Sequence, residues 1–164
     1  MSILRYVTIF LFCSVVLFAE SYHFVETRYS DALGRSMELR GVISLSKESL
    51  AIRYDESDKL INYEDEELSI TEDGEELELG DEEQMKLSQY FELVLLLFNG
   101  DEKTLSKEFG ITTTQEGQTL VPRTELSEYI RKIELKKEGK KLKTLKMFLS
   151  NDDKIKISID DEVR

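Results

Sequence analysis

The sequence predicts a single α+β domain, mostly antiparallel β, and three observations carry that prediction. Apolar and polar residues alternate in short runs, which is the period of a half-buried strand. Turn signals punctuate those runs about every ten residues, as in a meander. Once, mid-chain, the apolar period lengthens to that of a helix.

The first strand block runs from Val25 to Leu79. Met37, Leu39, Gly41, Ile43 and Leu45 share one face of a strand, and Ser46-Lys47-Glu48-Ser49 turns the chain. Leu50, Ile52 and Tyr54 resume the alternation before the turn Asp55-Glu56-Ser57-Asp58. A third strand follows, with either Leu60 and Asn62 or Ile61 and Tyr63 facing inward. Leu68 and Ile70 mark a fourth, Glu72-Asp73-Gly74 turns it, and Leu77 with Leu79 predicts a fifth.

Gly80 then breaks the strand pattern, and Asp81 with Gln84 three residues later has the form of a helix-capping box. A helix is expected from Met85 to Phe98, ended by Asn99-Gly100. Phe91, Val94, Leu95 and Phe98 share a face, while Leu93, Leu96 and Leu97 widen the apolar arc. A helix with so little polar surface must be enclosed or must cover something apolar. Asp101 is placed to cap a second short helix carrying Leu105, which leads to Phe109 and Gly110. Strands are expected again at 111–115, 118–121, 129–135, 142–149 and 154–159, with turns at Glu138-Gly139 and Asn151-Asp152-Asp153. Without a repeat or a linker, both blocks are expected in one sheet with the helices between them.

The first residues carry an address. Arg5 precedes an apolar run from Tyr6 to Phe18, and Ala19 is a small residue before Glu20, the order of a secretory signal peptide. The run falls short of the roughly 20 residues of a membrane span, and the alternative reading is an uncleaved N-terminal anchor, which Leu17 before Ala19 keeps open. Residues 1–19 are therefore read as a signal and 20–164 as one domain, in the periplasm. The only cysteine, Cys13, lies in the signal, so the exported chain is expected to hold by packing without a disulfide. A formal charge of −12 makes the whole chain a poor general binder of nucleic acid or anionic membrane.

Chemistry is sparse. The one histidine, His23, has no neighbour spaced as a co-ligand or nucleophile. The acidic runs 64–67, 72–78 and 81–83 fall in solvated turns and outer strand faces, where no carboxylate pair is set to differing pKa values. Residues 55–66 fail as a calcium loop, having no glycine at the sharp turn. Binding is expected, not catalysis, with no cofactor and no metal. Arg131, Lys132, Lys136, Lys137, Lys140, Lys141, Lys143 and Lys146 concentrate positive charge on one hairpin. Such lysines protect a sheet edge from aggregation, or they form a docking surface for an acidic partner or lipid head groups. The apolar helix likewise either completes a filled core or acts as a lid over a hollow for an acyl chain.

The order of several short segments resembles the LolA-like family of periplasmic outer-membrane lipoprotein carriers. Phe24-Val25-Glu26-Thr27-Arg28 is similar to the family's opening Phe-x-Gln strand, and residues 38–45 to its Gly-x-hydrophobic second strand. Residues 50–54 stand where the third strand lies. Leu97-Phe98-Asn99-Gly100-Asp101, with Leu105 and Phe109, resembles the helical segment of divergent members. Leu120-Val121-Pro122-Arg123 resembles the Leu-x-Pro signature, and residues 130–135 the strand after it. Ser46-Lys47-Glu48 stands where the family has Arg-Pro-Gly, whose arginine ties the lid helix shut. The resemblance implies a strongly curved, incomplete β barrel with helices over its concave face and a cavity for acyl chains of lipoproteins or envelope lipids. Met37, Leu39, Ile43, Leu45, Ile52 and Tyr54 would then form the cavity wall, with Phe91, Val94, Leu95 and Phe98 as the lid. Arg131, Lys132, Lys136, Lys137, Lys140 and Lys141 would dock a partner. The partners implied are inner-membrane export machinery and an outer-membrane acceptor, acting on a monomer.

Overall fold

The computed structural model describes residues 20–100 and 102–162. Residues 1–19, read above as a signal, and the helix cap read at Asp101 lie outside the described residues.

Inward residues in each strand alternate with polar ones, so every strand buries one face. β1 (Glu20–Ser30) and β2 (Arg35–Leu45) form a long hairpin, followed by β3 (Ser49–Tyr54), β4 (Leu60–Glu64), β5 (Glu67–Glu72) and β6 (Glu75–Glu76). The helices α1 (Asp81–Asn99) and α2 (Glu102–Glu108) come next. The chain then returns to strands: β7 (Phe109–Thr114), β8 (Gly117–Pro122), β9 (Ile130–Glu138), β10 (Lys141–Leu149) and β11 (Lys154–Glu162). All are antiparallel neighbours in one 11-stranded sheet of order β6-β5-β4-β3-β2-β1-β11-β10-β9-β8-β7. The two meanders join where β1 pairs with β11, from Tyr22↔Glu162 to Tyr29↔Lys154. The sheet is not closed, since β6 and β7 stand at its two ends.

Curvature has local causes. Register shifts interrupt β1–β11 between Tyr22 and Phe24, and β9–β10 near Leu142 and again near Phe148. Such bulges bend a strand and increase its twist, which curls the sheet around α1. The β4–β5 turn is tight: Asp65 and Glu66 both adopt positive φ, 51° and 65°, as a two-residue hairpin turn of the right twist requires.

Ile61 and Tyr63, rather than Leu60 and Asn62, are the inward pair of β4. Two expectations are corrected. Leu77 and Leu79 do not extend a fifth strand: β6 stops at Glu76, and Leu77 makes one bond, its N–H donating to the Ile70 carbonyl. Apolar alternation survives there because Leu79 packs against the core from an irregular segment. Nor is Asp81 a helix cap. Gly80 takes that position in extended conformation without a side-chain cap, and α1 begins four residues earlier than the apolar pattern does. The Gln84 amide instead donates to the Leu68 carbonyl at 2.9 Å, fastening the helix to β5. Three acidic residues in the first turn suit the positive end of the helix dipole.

The buried face of α1 is Phe91, Leu93, Val94 and Leu97. It packs on β3, β4 and β5 and belongs to one continuous apolar core shared by both strand blocks. The helix plugs the hollow of the curved sheet.

Candidate functional site

β1 runs from one end of the barrel, at Glu20, to the other, at Ser30. We call the Ser30 end, where two depressions meet at Arg28, the mouth. There the inward parity of β1 continues through Tyr22 and Phe24 to Glu26 and Arg28, which face Leu39 and Met37 across the β2 ladder. Glu26 is the one buried charged residue among those described, at 2% exposure. The Arg28 Nε–H donates to its Oε1, and the Tyr54 hydroxyl donates to its Oε2 at 3.1 Å. No buried side-chain polar atom among the described residues lacks a partner, so this carboxylate is satisfied.

Burial weakens the Arg28 charge, but the hydrogen bond and the charge of Glu26 outweigh it and hold the guanidinium above its ordinary pKa. Burial, then the Glu26 charge, pushes the Tyr54 phenol well up. The Tyr90 phenol of α1 is raised for the same two reasons, in the same order. Tyr54 thus meets the carboxylate as a neutral donor. Because the ion pair is half-open on the arginine side, with Arg28 45% exposed against 3% for Glu26, its partners are unequal. Arg28→Met is expected to cost about 2 kcal/mol, by leaving a buried carboxylate with one hydroxyl. Glu26→Leu combined with Arg28→Met is expected to recover most of that loss. Denaturant titration of the double-mutant cycle reads both values.

Beside this cluster, a hollow of about 430 Å³ opens between β2–β5 and α1. Leu39, Ile61, Ile70, Leu87, Tyr90 and Phe91 form its body, with Arg28, Arg40 and Lys59 at its polar side. That volume lies in the range of small-ligand pockets, roughly 300–1,000 Å³.

The residues expected as cavity wall divide. Ile43, Leu45 and Ile52 are buried against the core, where α1 fills the space before them. Leu39 and Tyr54 line the hollow. Met37 does not line an interior: it is 52% exposed, because β2 runs past the end of the helix cover. Of the lid residues, Phe91 and Val94 are buried, while Leu95 and Phe98 are half-buried. The helix is rotated so that Leu93 and Leu97 take the inner positions. In the basic hairpin, Arg131 pairs with Asp152 at 2.7 Å and Lys132 with Glu134 at 2.7 Å. Lys136, Lys137 and Lys140 are exposed, and Lys141 lies 5.7 Å from the Tyr22 ring.

Two features of the candidate site escaped the sequence reading. Glu26 and Arg28 had a signal, since both share the parity of Phe24 and so put charge on an apolar face. The other had none. The Asn99 amide, at the C-terminal end of α1, donates to the Ser46 carbonyl at 2.6 Å and toward the Lys47 carbonyl at 3.5 Å. The Ser46-Lys47 turn thus holds the helix through its own backbone.

The fold and its mouth define an incomplete β barrel plugged by a helix. It is similar to a solved LolA superfamily protein, NE2245 of Nitrosomonas europaea, at 8% identity. The match covers 91% of this chain and 87% of that one, with a TM-score of 0.42. No protein-family model and no curated protein matches the chain. No helix among the described residues is long and apolar enough to cross a membrane.

Proposed function

We propose that the protein is a non-enzymatic periplasmic carrier that shields the acyl chains of a lipoprotein or other envelope lipid during transfer toward the outer membrane. Inner-membrane export machinery would load it and an outer-membrane acceptor would relieve it of cargo. The observation that carries this reading is the apolar hollow beside α1, lined by core residues of β4 and β5 and by Leu87, Tyr90 and Phe91 of the helix. In the closed state the hollow admits the leading part of a chain. Each methylene buried there contributes roughly 0.8 kcal/mol, so displacement of α1 can be repaid by cargo alone. The Asn99 latch is the polar tie that such a displacement would break.

A second reading has its own observation. Ile43, Leu45 and Ile52 are each under 10% exposed with α1 in place, as in a filled core. The protein would then be a scaffold that binds a partner through its basic hairpin.

Asn99→Ala separates the two. Loss of one such hydrogen bond is worth about 1 kcal/mol, or about fivefold in the open fraction of the helix. Titration with an environment-sensitive acyl fluorophore is expected to show uptake by the native protein, with apparent affinity about fivefold tighter in the variant. Absence of uptake in both forms rejects the carrier and favours the scaffold.

A further inference from the structure

The mouth end carries a second surface that the hollow under α1 does not use. The β1–β2 turn projects Leu33, which is 64% exposed, and Met37 beside it is 52% exposed. With Tyr29, Leu149 and Ile155 they line one open, largely apolar depression of about 580 Å³, edged by Arg28, Arg35 and Lys154. Tyr129, 65% exposed, stands at the same end, its carbonyl accepting from the Ser150 N–H of the β10–β11 turn.

Outward parity extends this surface over the convex face of the sheet. The register aligns Lys132, Phe148, Lys154 and Tyr29 in one row across β9, β10, β11 and β1. The next row away from the mouth, about 7 Å on, contains Glu134, Lys146, Lys156 and Thr27. The lysines crowd the rings: Lys132 and Lys146 lie 4.4 and 4.8 Å from the Phe148 centroid, and Lys154 lies 5.1 Å from Tyr29. Three carboxylates at this end are engaged elsewhere. Asp152 pairs with Arg131, Glu134 with Lys132, and Asp153 accepts from the Asp31 N–H and the Asn151 amide. Asp31 itself is exposed in the tip. Arg35, Lys146, Lys154 and Lys156 have no carboxylate partner among the described residues.

We propose that this end docks on a membrane rich in anionic phospholipid, with Leu33 and Met37 entering the acyl boundary. Tyr29 and Phe148 then lie at head-group depth, and Arg35, Lys146, Lys154 and Lys156 meet lipid phosphates. Exposed aliphatic side chains next to aromatic rings and unpaired cations are the composition of an interfacial anchor. The net charge of −12 opposes such docking at long range, so the local arrangement of charge must carry it. The acidic residues are concentrated in β4–β6 and the start of α1, so the protein is a dipole that turns its basic face toward an anionic surface. An acidic protein partner would use the lysines but would leave Leu33 and Met37 without a role. The docked mouth also faces the hollow under α1, with Arg28 lining both depressions.

The test uses exported protein, confirmed by mass to lack residues 1–19, in flotation with two vesicle types. One is phosphatidylcholine alone; the other includes phosphatidylglycerol. Binding is expected on the anionic vesicles and to weaken with salt. Lys154→Glu with Lys156→Glu is expected to weaken it about tenfold or more, since each cation near such a surface contributes appreciably. Leu33→Asp is expected to abolish the part that survives high salt. All three positions lie on the surface, and unchanged thermal unfolding of each variant confirms an intact fold. Equal binding to both vesicle types, or binding indifferent to these substitutions, overturns the proposal. So does capture of poly-glutamate by the native protein without vesicle binding, which would assign the lysines to an acidic protein. Acyl-fluorophore uptake reads the carrier function separately: uptake without flotation rejects the docking surface alone, and flotation without uptake supports it while rejecting the carrier.

Discussion

Phe109→Ala is expected to lower the free energy of unfolding by about 4 kcal/mol, the range for deleting a fully enclosed aromatic side chain. Phe109 is 0% exposed and sits at the junction where α2 gives way to β7. It faces Pro122 across the β8 ladder, and Leu105 and Leu120, also buried, belong to the same core. Collapse into the space left behind is restricted. β7 is held along its whole length by β8, from Phe109↔Pro122 to Thr114↔Gly117, and Pro122 is itself buried and rigid. Urea titration with an unchanged slope is the readout. A loss below about 2 kcal/mol would mean that this corner of the core repacks.

Gly41→Ala is expected to cost about 3 kcal/mol although it adds one methyl group. The Cβ would lie 2.2 Å from the Arg53 carbonyl oxygen of β3 and 3.0 Å from the Phe24 ring. A backbone oxygen cannot swing aside as the end of a side chain can, so β2 and β3 would have to part. The consequence reaches the site. Gly41 lies between Phe24 and Tyr54 in register, and the two rings meet edge-to-face at 5.8 Å near the gap it leaves. Displacing the Tyr54 ring would withdraw its hydroxyl from Glu26. Denaturation midpoints of Gly41→Ala and Tyr54→Phe measured together check this, the tyrosine change being expected to cost about 1 kcal/mol. A glycine substitution no worse than Tyr54→Phe would contradict the close approach.

The strands were legible wherever one face met the core and the other met water. Ile43 and Leu45, then Ile52, and later Ile157 and Ile159, alternate strictly because each occupies a pleated surface buried on one side. The same rule misled at two places. Leu77 and Leu79 keep the spacing of a strand, but β6 ends at Glu76 and its ladder to β5 goes no further than the bond from Leu77 to Ile70. Met37 keeps the parity of Ile43 on a part of β2 that outruns the helix, so its face meets solvent. Period reports which side a residue is on. Whether anything covers that side is a property of the other elements.

The mouth shows the same division. Glu26 and Arg28 could be seen as charges on an apolar face, but their mate Tyr54 sits two strands away and Tyr90 approaches from α1. The Asn99 latch was illegible because its acceptors are the backbone carbonyls of Ser46 and Lys47, which every residue has. Asn99 read as a helix stop, which it also is.

By itself, the sequence determined the antiparallel strands and most of their turns, the one long apolar helix, and the separation of acidic from basic segments. These are local: they follow from periodicity, turn chemistry and charge within some ten neighbouring residues. Only the tertiary structure decided that β1 pairs with β11, the joint through which the two meanders form the one sheet expected of them. It alone rotated α1 to bury Leu93 and Leu97, gave Glu26 its two partners, and brought Leu33 and Met37 to one end beside Lys154. Those contacts join residues far apart in the chain, and their geometry depends on sheet curvature set by bulges, whose trace in the sequence is only an odd three-residue step between inward residues, Ile130 to Ile133 and Leu142 to Leu145.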